Sequence, residues 1–193
     1  MIGVRHPSNK KNLFWALLTA LAFIIFDQFT KRLAVVHVKP VRSLSIISIN
    51  GREILNFTYL QNTGAAFSIL QGKQLFLIVI TGIFIALLLY LLIAGKIKSG
   101  FMIWATSLVI AGGAGNLIDR VFNGYVVDFI DLRIIKFAVF NVADICAVIG
   151  ALMMLVSIMF ENNGKNLVAS EKTQFKANSF SDADSEFNPK SDR

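Results

Sequence analysis

The 193 residues are 55% hydrophobic and only 16% charged, with a mean hydropathy of +0.63. That exceeds the roughly 45–50% apolar content of soluble domains and excludes an ordinary water-soluble monomer. The formal charge of +7 comes from 19 Lys and Arg residues scattered between apolar runs, which fits anionic membrane phospholipids and no nucleic acid.

Residues 1–12 form a basic leader with Arg5, Lys10 and Lys11. Leu13–Phe26 is uncharged and apolar character resumes at Leu33–Val36, so a first membrane span is predicted from about Leu13 into the low thirties. Ala20-Leu21-Ala22 has the small-x-small form of a signal-peptide cut, but cutting there leaves only Leu13–Thr19 as apolar core, which favours a retained anchor. Roughly forty residues then precede the next span, a length that calls for structure of its own. Within them Ser45–Ile49 and Ile54–Tyr59, rich in β-branched and aromatic residues, flank Asn50-Gly51, a strong hairpin signal. A small extramembrane β segment is expected over about residues 40–72.

Leu75–Ala94, Gly100–Ile118 and Phe137–Phe160 supply 20, 19 and 24 residues, with Asp144 the only acid in the last. Each approaches the roughly 20 residues a helix needs to cross a bilayer. The fold class read from this order is an all-α polytopic membrane protein. It has four transmembrane helices over residues 13–160 and a small extramembrane β-structured segment between the first two. Residues 161–193, with five basic and six acidic side chains, are expected to be a disordered tail. Four spans place both termini on one side, with ten basic residues there and nine on the other, a count that only tilts toward cytoplasmic termini.

Polar groups within apolar spans are costly, which makes each a functional candidate. Asp27 and Lys31 fall late in the first span, Asn116, Asp119 and Arg120 at the end of the third, and Asn141 and Asp144 at the start of the fourth. Because successive spans run in opposite directions, all of these reach the same membrane face, where the loop carrying Asp128 and Asp131 also emerges. Asp27 and Lys31 are four apart, and Gly112, Asn116, Asp119 and Arg120 share one helical stripe. Plainer roles exist for each part: an interfacial ion pair for Asp27 and Lys31, close helix packing for the run Ala111–Gly115, a turn at Asn123-Gly124, and a helix cap at Asn141 or Asp144. His6 and His37 read as bystanders. No plain role accounts for five acids and amides with two cations at one depth.

The chemistry open to such a cluster is narrow. Both histidines lie outside it, no serine lies within it, and Cys146 is the lone cysteine, so neither a Ser-His-Asp set nor a metal or other cofactor is expected. Two nearby carboxylates can share a proton, one activating water and the other protonating the scissile carbonyl or the leaving amine. Asp119, Asp128, Asp131 and Asp144 are the candidates, and the residues alone do not choose the pair. A small proton-coupled or lipid-binding membrane transporter using the same carboxylates is the alternative, although such sites sit near the midplane between internal repeats, and no repeat is found.

Five runs carry a resemblance: Asp27-Gln28-Phe29-Thr30-Lys31, Gln61-Asn62-Thr63-Gly64-Ala65-Ala66-Phe67, Gly112 through Arg120, Val126-Val127-Asp128-Phe129 and Phe140-Asn141-Val142-Ala143-Asp144. Their identity and order resemble the signature blocks of bacterial lipoprotein signal peptidase, the type II signal peptidase, across about Leu13–Phe160. The resemblance implies a membrane aspartyl endopeptidase that cuts diacylglyceryl-modified prolipoproteins immediately before the lipidated cysteine, with Asp128 and Asp144 as the catalytic pair. It also implies that Asn62, Gly64, Gly112, Asn116, Arg120, Asn141 and Ala143 line or support the site, that Asp27 and Lys31 form its floor, and that Asp119 fixes the arginine or the helix end. A monomer in the cytoplasmic (inner) membrane is expected, with both termini cytoplasmic and the site at the outer face.

Overall fold

The computed structural model describes residues 7–65, 69–135 and 137–160. The leader residues Arg5 and His6, the block residues Ala66 and Phe67, and the expected tail over residues 161–193 lie outside the described residues.

Helix α1 runs from Pro7 to Leu33, starting at a proline whose fixed φ suits the first helical position. It continues directly into a π-helical turn, Ala34–Val38, in which Ala34 and Val38 are buried. Strand β1 (Ser43–Ile49) and strand β2 (Arg52–Asn62) follow as an antiparallel hairpin closed by Asn50 and Gly51. Both turn residues have positive φ, 50° and 77°, the backbone that a two-residue type I′ connection requires. The remaining elements are helix α2 (Gln74–Ile93), helix α3 (Gly100–Asn123), strand β3 (Val126–Leu132) and helix α4 (Val142–Phe160). Ser99 caps α3 by accepting the Met102 N–H, and four helices among the described residues are long and apolar enough to cross a membrane.

Two features correct the sequence reading. The segment with Asp128 is a strand, not a loop: β3 pairs antiparallel with β2 and completes a three-stranded sheet in the order β1-β2-β3. Val-Val-Asp-Phe-Ile-Asp-Leu has the β-branched content of a strand, but its partner lies more than sixty residues earlier, beyond the reach of local patterning. In addition, α4 begins at Val142 and not at Phe137. The apolar residues Phe137–Phe140 run beside the sheet, where the Phe140 carbonyl accepts from Phe129 and Ile130 (3.0 and 2.8 Å) and the Phe140 N–H donates to the Ile130 carbonyl (3.0 Å).

Helix α3 is the central helix, with α1 and α2 packed against it around Ala16, Ile85, Leu88, Leu92, Ile103 and Ile110. Its small residues permit close approach of α4. A Cβ at Gly112 would collide with the Ala143 carbonyl and stand 2.7 Å from the Ala147 nitrogen. A Cβ at Gly150 on α4 would likewise stand 2.7 Å from the Ala105 carbonyl oxygen of α3. A second core joins one face of the sheet to the π-helical turn through Ala34, Val38, Val127 and Phe129, with Phe57 and Phe129 meeting edge to face.

Candidate active site

The floor of the site is built on α1 and α3. Asp27 and Lys31, one helical turn apart, pair at 2.9 Å and are nearly inaccessible to solvent. An ammonium has three N–H donors. In Lys31 each meets an acceptor: Oδ2 of Asp27, Oδ2 of Asp119 at 3.0 Å and Oδ1 of Asn116 at 2.9 Å. The carboxylates in turn grip backbone elsewhere, Asp27 accepting the Ala143 N–H at 2.8 Å and Asp119 the Val127 N–H at 3.1 Å. Buried charges are tolerated only when paired and hydrogen-bonded this fully.

Above the floor stand Asp128 on β3 and Asp144 in the first turn of α4. Asn141 joins them. Its Nδ2 donates to Oδ1 of Asp128 at 2.7 Å, while its backbone N–H donates to Oδ2 of Asp144 at 3.1 Å and its Oδ1 accepts the Asp144 N–H at 2.9 Å. This reciprocal exchange between the N-cap and the third helical residue is a capping box, so the plain capping role and the site role coincide in the same two side chains. The other oxygens are held as well, Oδ2 of Asp128 by Asn62 Nδ2 (2.9 Å) and Oδ1 of Asp144 by Asn116 Nδ2 (2.8 Å). Asp128 is 2% exposed, and burial, followed by the nearby Asp144 charge, pushes its carboxyl up to about 6. The strand supplies the aim. Between the pairs Leu60↔Asp128 and Phe57↔Ile130, two residues of β2 oppose one of β3, a bulge immediately beside the acid.

Both acids open onto a cavity of about 480 Å³ that is also lined by Asn62, Asn116 and Arg120. Its remaining wall is apolar, with Phe137, Phe140, Ile145, Val148 and Ile149 prominent. Arg120 Nη2 donates to the Gly64 carbonyl at 2.8 Å and Nη1 to the Asn116 carbonyl at 3.4 Å, while its buried Nε has no partner among the described residues. Gly64 is held again by its own N–H, which donates to Asn62 Oδ1 at 2.9 Å.

The structure thus brings Asp27, Lys31, Asn62, Gly64, Gly112, Asn116, Asp119, Arg120, Asp128, Asn141, Ala143 and Asp144 into one region, but not into one role. Gly112, Asn141 and Ala143, expected along the cavity, stand behind its wall, because the close α3–α4 contact at Gly112 and the cap at Asn141 occupy that space. Asp119 binds Lys31 and the start of β3, with no hydrogen bond or ion pair to Arg120 among the described residues. Asp131 is committed to the sheet, accepting from Thr58 Oγ1 and pairing with Arg133, both at 2.8 Å. Gln28 lies one position from Asp27, on another face of a regular helix, and so escapes a reading by helical spacing; its long side chain nonetheless reaches the floor. Its signal is a polar residue inside an apolar span.

The chain matches known proteins over the residues that build this site. The sequence profile of signal peptidase (SPase) II matches residues 19–160. A lipoprotein signal peptidase of Caldanaerobacter subterraneus subsp. tengcongensis is 44% identical over 146 residues, which is 75% of this chain and 96% of that protein. One from Streptococcus thermophilus is 39% identical over 146 residues (76% and 93%), and one from Staphylococcus aureus 38% over 152 residues (78% and 91%). A solved bacterial membrane enzyme structure obtained by the in meso method at 2.3 Å resolution superposes with a TM-score of 0.71 at 38% identity, covering 78% of this chain and 90% of that one.

Proposed function

The chain belongs to the signal peptidase II family, and from that premise we propose that it is an aspartic endopeptidase that cleaves diacylglyceryl-modified prolipoproteins immediately before the lipidated cysteine, with Asp128 and Asp144 as its catalytic pair. One observation carries the assignment. Among the cavity-lining residues these are the two acids, and Asn141 hydrogen-bonds to both.

In this reading the pair shares one proton. Asp128, the less exposed member, holds it, since burial and the neighbouring Asp144 both disfavour its charged form. The Asp144 carboxylate takes a proton from water as the water oxygen attacks the scissile carbonyl carbon, and Asp128 gives its proton to the carbonyl oxygen. Collapse of the tetrahedral species breaks the C–N bond, the amine leaves with the proton from Asp144, and the hydroxyl proton returns to Asp128. The Arg120 Nε–H and the second N–H of the Asn116 amide supply donors for substrate carbonyls and developing negative charge. The apolar wall of Ile145, Val148 and Ile149 suits an acylated substrate, whose chains gain about 0.8 kcal/mol per buried methylene.

Placement in the bilayer belongs to the same proposal. Large exposed side chains such as Phe14, Trp15, Ile25, Leu75 and Ile83 exceed what a soluble monomer shows to water, and they suit lipid contact. We read residues 13–160 as the peptidase domain of a monomer in the cytoplasmic membrane. The leader and the tail over residues 161–193 lie on the cytoplasmic side, and the sheet end of the bundle faces outward. The transporter alternative gains no support from acids gathered where α1 and α3 end and α4 begins.

The test is cleavage of a diacylglyceryl-modified precursor by Asp128→Asn and Asp144→Asn. Each abolishes cleavage while the protein still accumulates in membranes, and retained cleavage by either overturns the pair. A cysteine introduced at Glu53 reports orientation, since a membrane-impermeant thiol reagent labels it from outside the cell if the sheet faces outward.

A further inference from the structure

Each proposed catalytic acid follows a residue whose backbone N–H is held by a buried carboxylate of the floor. Ala143, before Asp144, donates to Asp27, and Val127, before Asp128, donates to Asp119. The positions of Asp27 and Asp119 therefore set where the two acids stand. Lys31 ties these carboxylates together through the Oδ2 of each. Gln28 makes a second tie: its Nε2 lies 3.2 Å from Oδ2 of Asp27, 3.3 Å from Oδ1 of Asp119 and 3.1 Å from the Gly115 carbonyl oxygen.

The chemistry of the tie is specific. One ammonium faces two buried carboxylates, and a neutral amide adds donors without adding charge. Two N–H groups are shared among three acceptors, which anchors the amide to α3 as well as to both acids. The α1–α3 contact is close at this point, since a Cβ at Gly115 would stand only 2.6 Å from Oδ2 of Asp27.

We propose that Gln28 is a positioning residue: together with Lys31 it clamps Asp27 to Asp119 and, through Ala143 and Val127, sets the separation of Asp144 and Asp128. This deepens the peptidase reading and rests on it. A residue that merely stabilised the fold would change the melting temperature and leave turnover per folded enzyme alone, whereas a clamp acts on the chemical step.

The experiment uses the full-length enzyme and a diacylglyceryl-modified prolipoprotein, with kcat and KM measured for Gln28→Met, which removes the donors, and Gln28→Glu, which keeps the shape. Phe29→Leu on the exposed face of α1 serves as a control. In both Gln28 variants kcat falls by about 10-fold with KM within about twofold of wild type, as expected when reacting groups are misplaced and ground-state binding is kept. The double variant Gln28→Met with Asp119→Asn is no slower than the slower single variant, because both act through one link. A kcat within about twofold of wild type in either variant, a change confined to KM, or multiplicative effects in the double variant overturns the clamp. If Gln28→Met fails to accumulate, Gln28→Glu decides. Asp128→Asn separates the two readings: retained cleavage there overturns the catalytic pair, whereas its loss beside a wild-type kcat in the Gln28 variants overturns the clamp alone.

Discussion

Lys31 donates to Oδ1 of Asn116 at 2.9 Å, and this contact dictates which end of the Asn116 amide faces Asp144. An ammonium can only donate, so the amide oxygen turns toward Lys31 and Nδ2 toward Asp144, at 2.8 Å. Asn62 and Asn141 are oriented by the same logic. Their oxygens accept the backbone N–H of Gly64 and of Asp144, leaving both amide nitrogens to donate to Asp128.

Asn116→Asp inverts that donor. An acceptor would then face Asp144 across a former hydrogen bond, in a region where like charges repel strongly. Turnover should fall by about 100-fold or more, on the scale of losing one positioned donor, with the protein still folded through its Lys31 contact. Steady-state cleavage kinetics check this.

Lys31→Met leaves Asp27 and Asp119 buried without their shared cation. Removing one partner of a buried pair costs about 3–5 kcal/mol, so a large fall in melting temperature should accompany loss of activity. Thermal unfolding of purified protein in detergent is the measurement.

The pH dependence follows from Asp128. Its carboxyl stands at about 6, raised by burial and then by Asp144, so the proton-sharing state proposed for the free enzyme is lost as pH rises through that value. The alkaline limb of kcat/KM should lie near 6, and that of kcat should lie higher, because a bound apolar substrate excludes more water. Stability moves with the same proton. A carboxyl raised in the folded state contributes stability that is fully present below about 4 and lost as pH rises through about 6. The melting temperature of wild type relative to Asp128→Ala should therefore decline between those values.

Gly112→Ala tests the α3–α4 contact. The added methyl meets the Ala143 carbonyl and the Ala147 nitrogen, and backbone atoms cannot rotate away. Overpacking of this kind costs roughly 1–3 kcal/mol. The displacement also moves Asp144, so activity per folded enzyme should drop, whereas Gly82→Ala on α2, with open space around it, should leave activity unchanged and should not lower the melting temperature.

Asp131→Asn separates the site from the sheet. Its buried carboxyl serves Thr58 and the half-exposed Arg133 on the sheet and does not line the cavity. Cleavage should stay within about twofold of wild type, in contrast with substitution of Asp128 or Asp144.

The long apolar stretches announce four span-length helices by themselves, because hydrophobicity and length are summed locally along the chain. The Asn50-Gly51 turn is legible for a similar reason, since positive φ is a property of individual residues. So is the gathering of Asp27, Asn116, Asp119, Asn141 and Asp144 at one end, which needs only alternating helix direction. The five ordered blocks carry the family resemblance that the known relatives establish.

What patterning does not reach is the choice among acids. Asp119, Asp128, Asp131 and Asp144 are chemically alike as letters, and their difference lies in long-range partners. Strand β3 exists because β2 waits for it, and Phe140 folds back on Ile130 to bring Asn141 beside Asp128. Only that tertiary pairing leaves Asp128 and Asp144 facing the cavity while Lys31 occupies Asp119 and Thr58 with Arg133 occupies Asp131. The amino-acid sequence alone determined which elements form and which end of the bundle is polar. The tertiary structure decided the partner of each carboxylate, because a hydrogen bond depends on distance in space and not on separation along the chain.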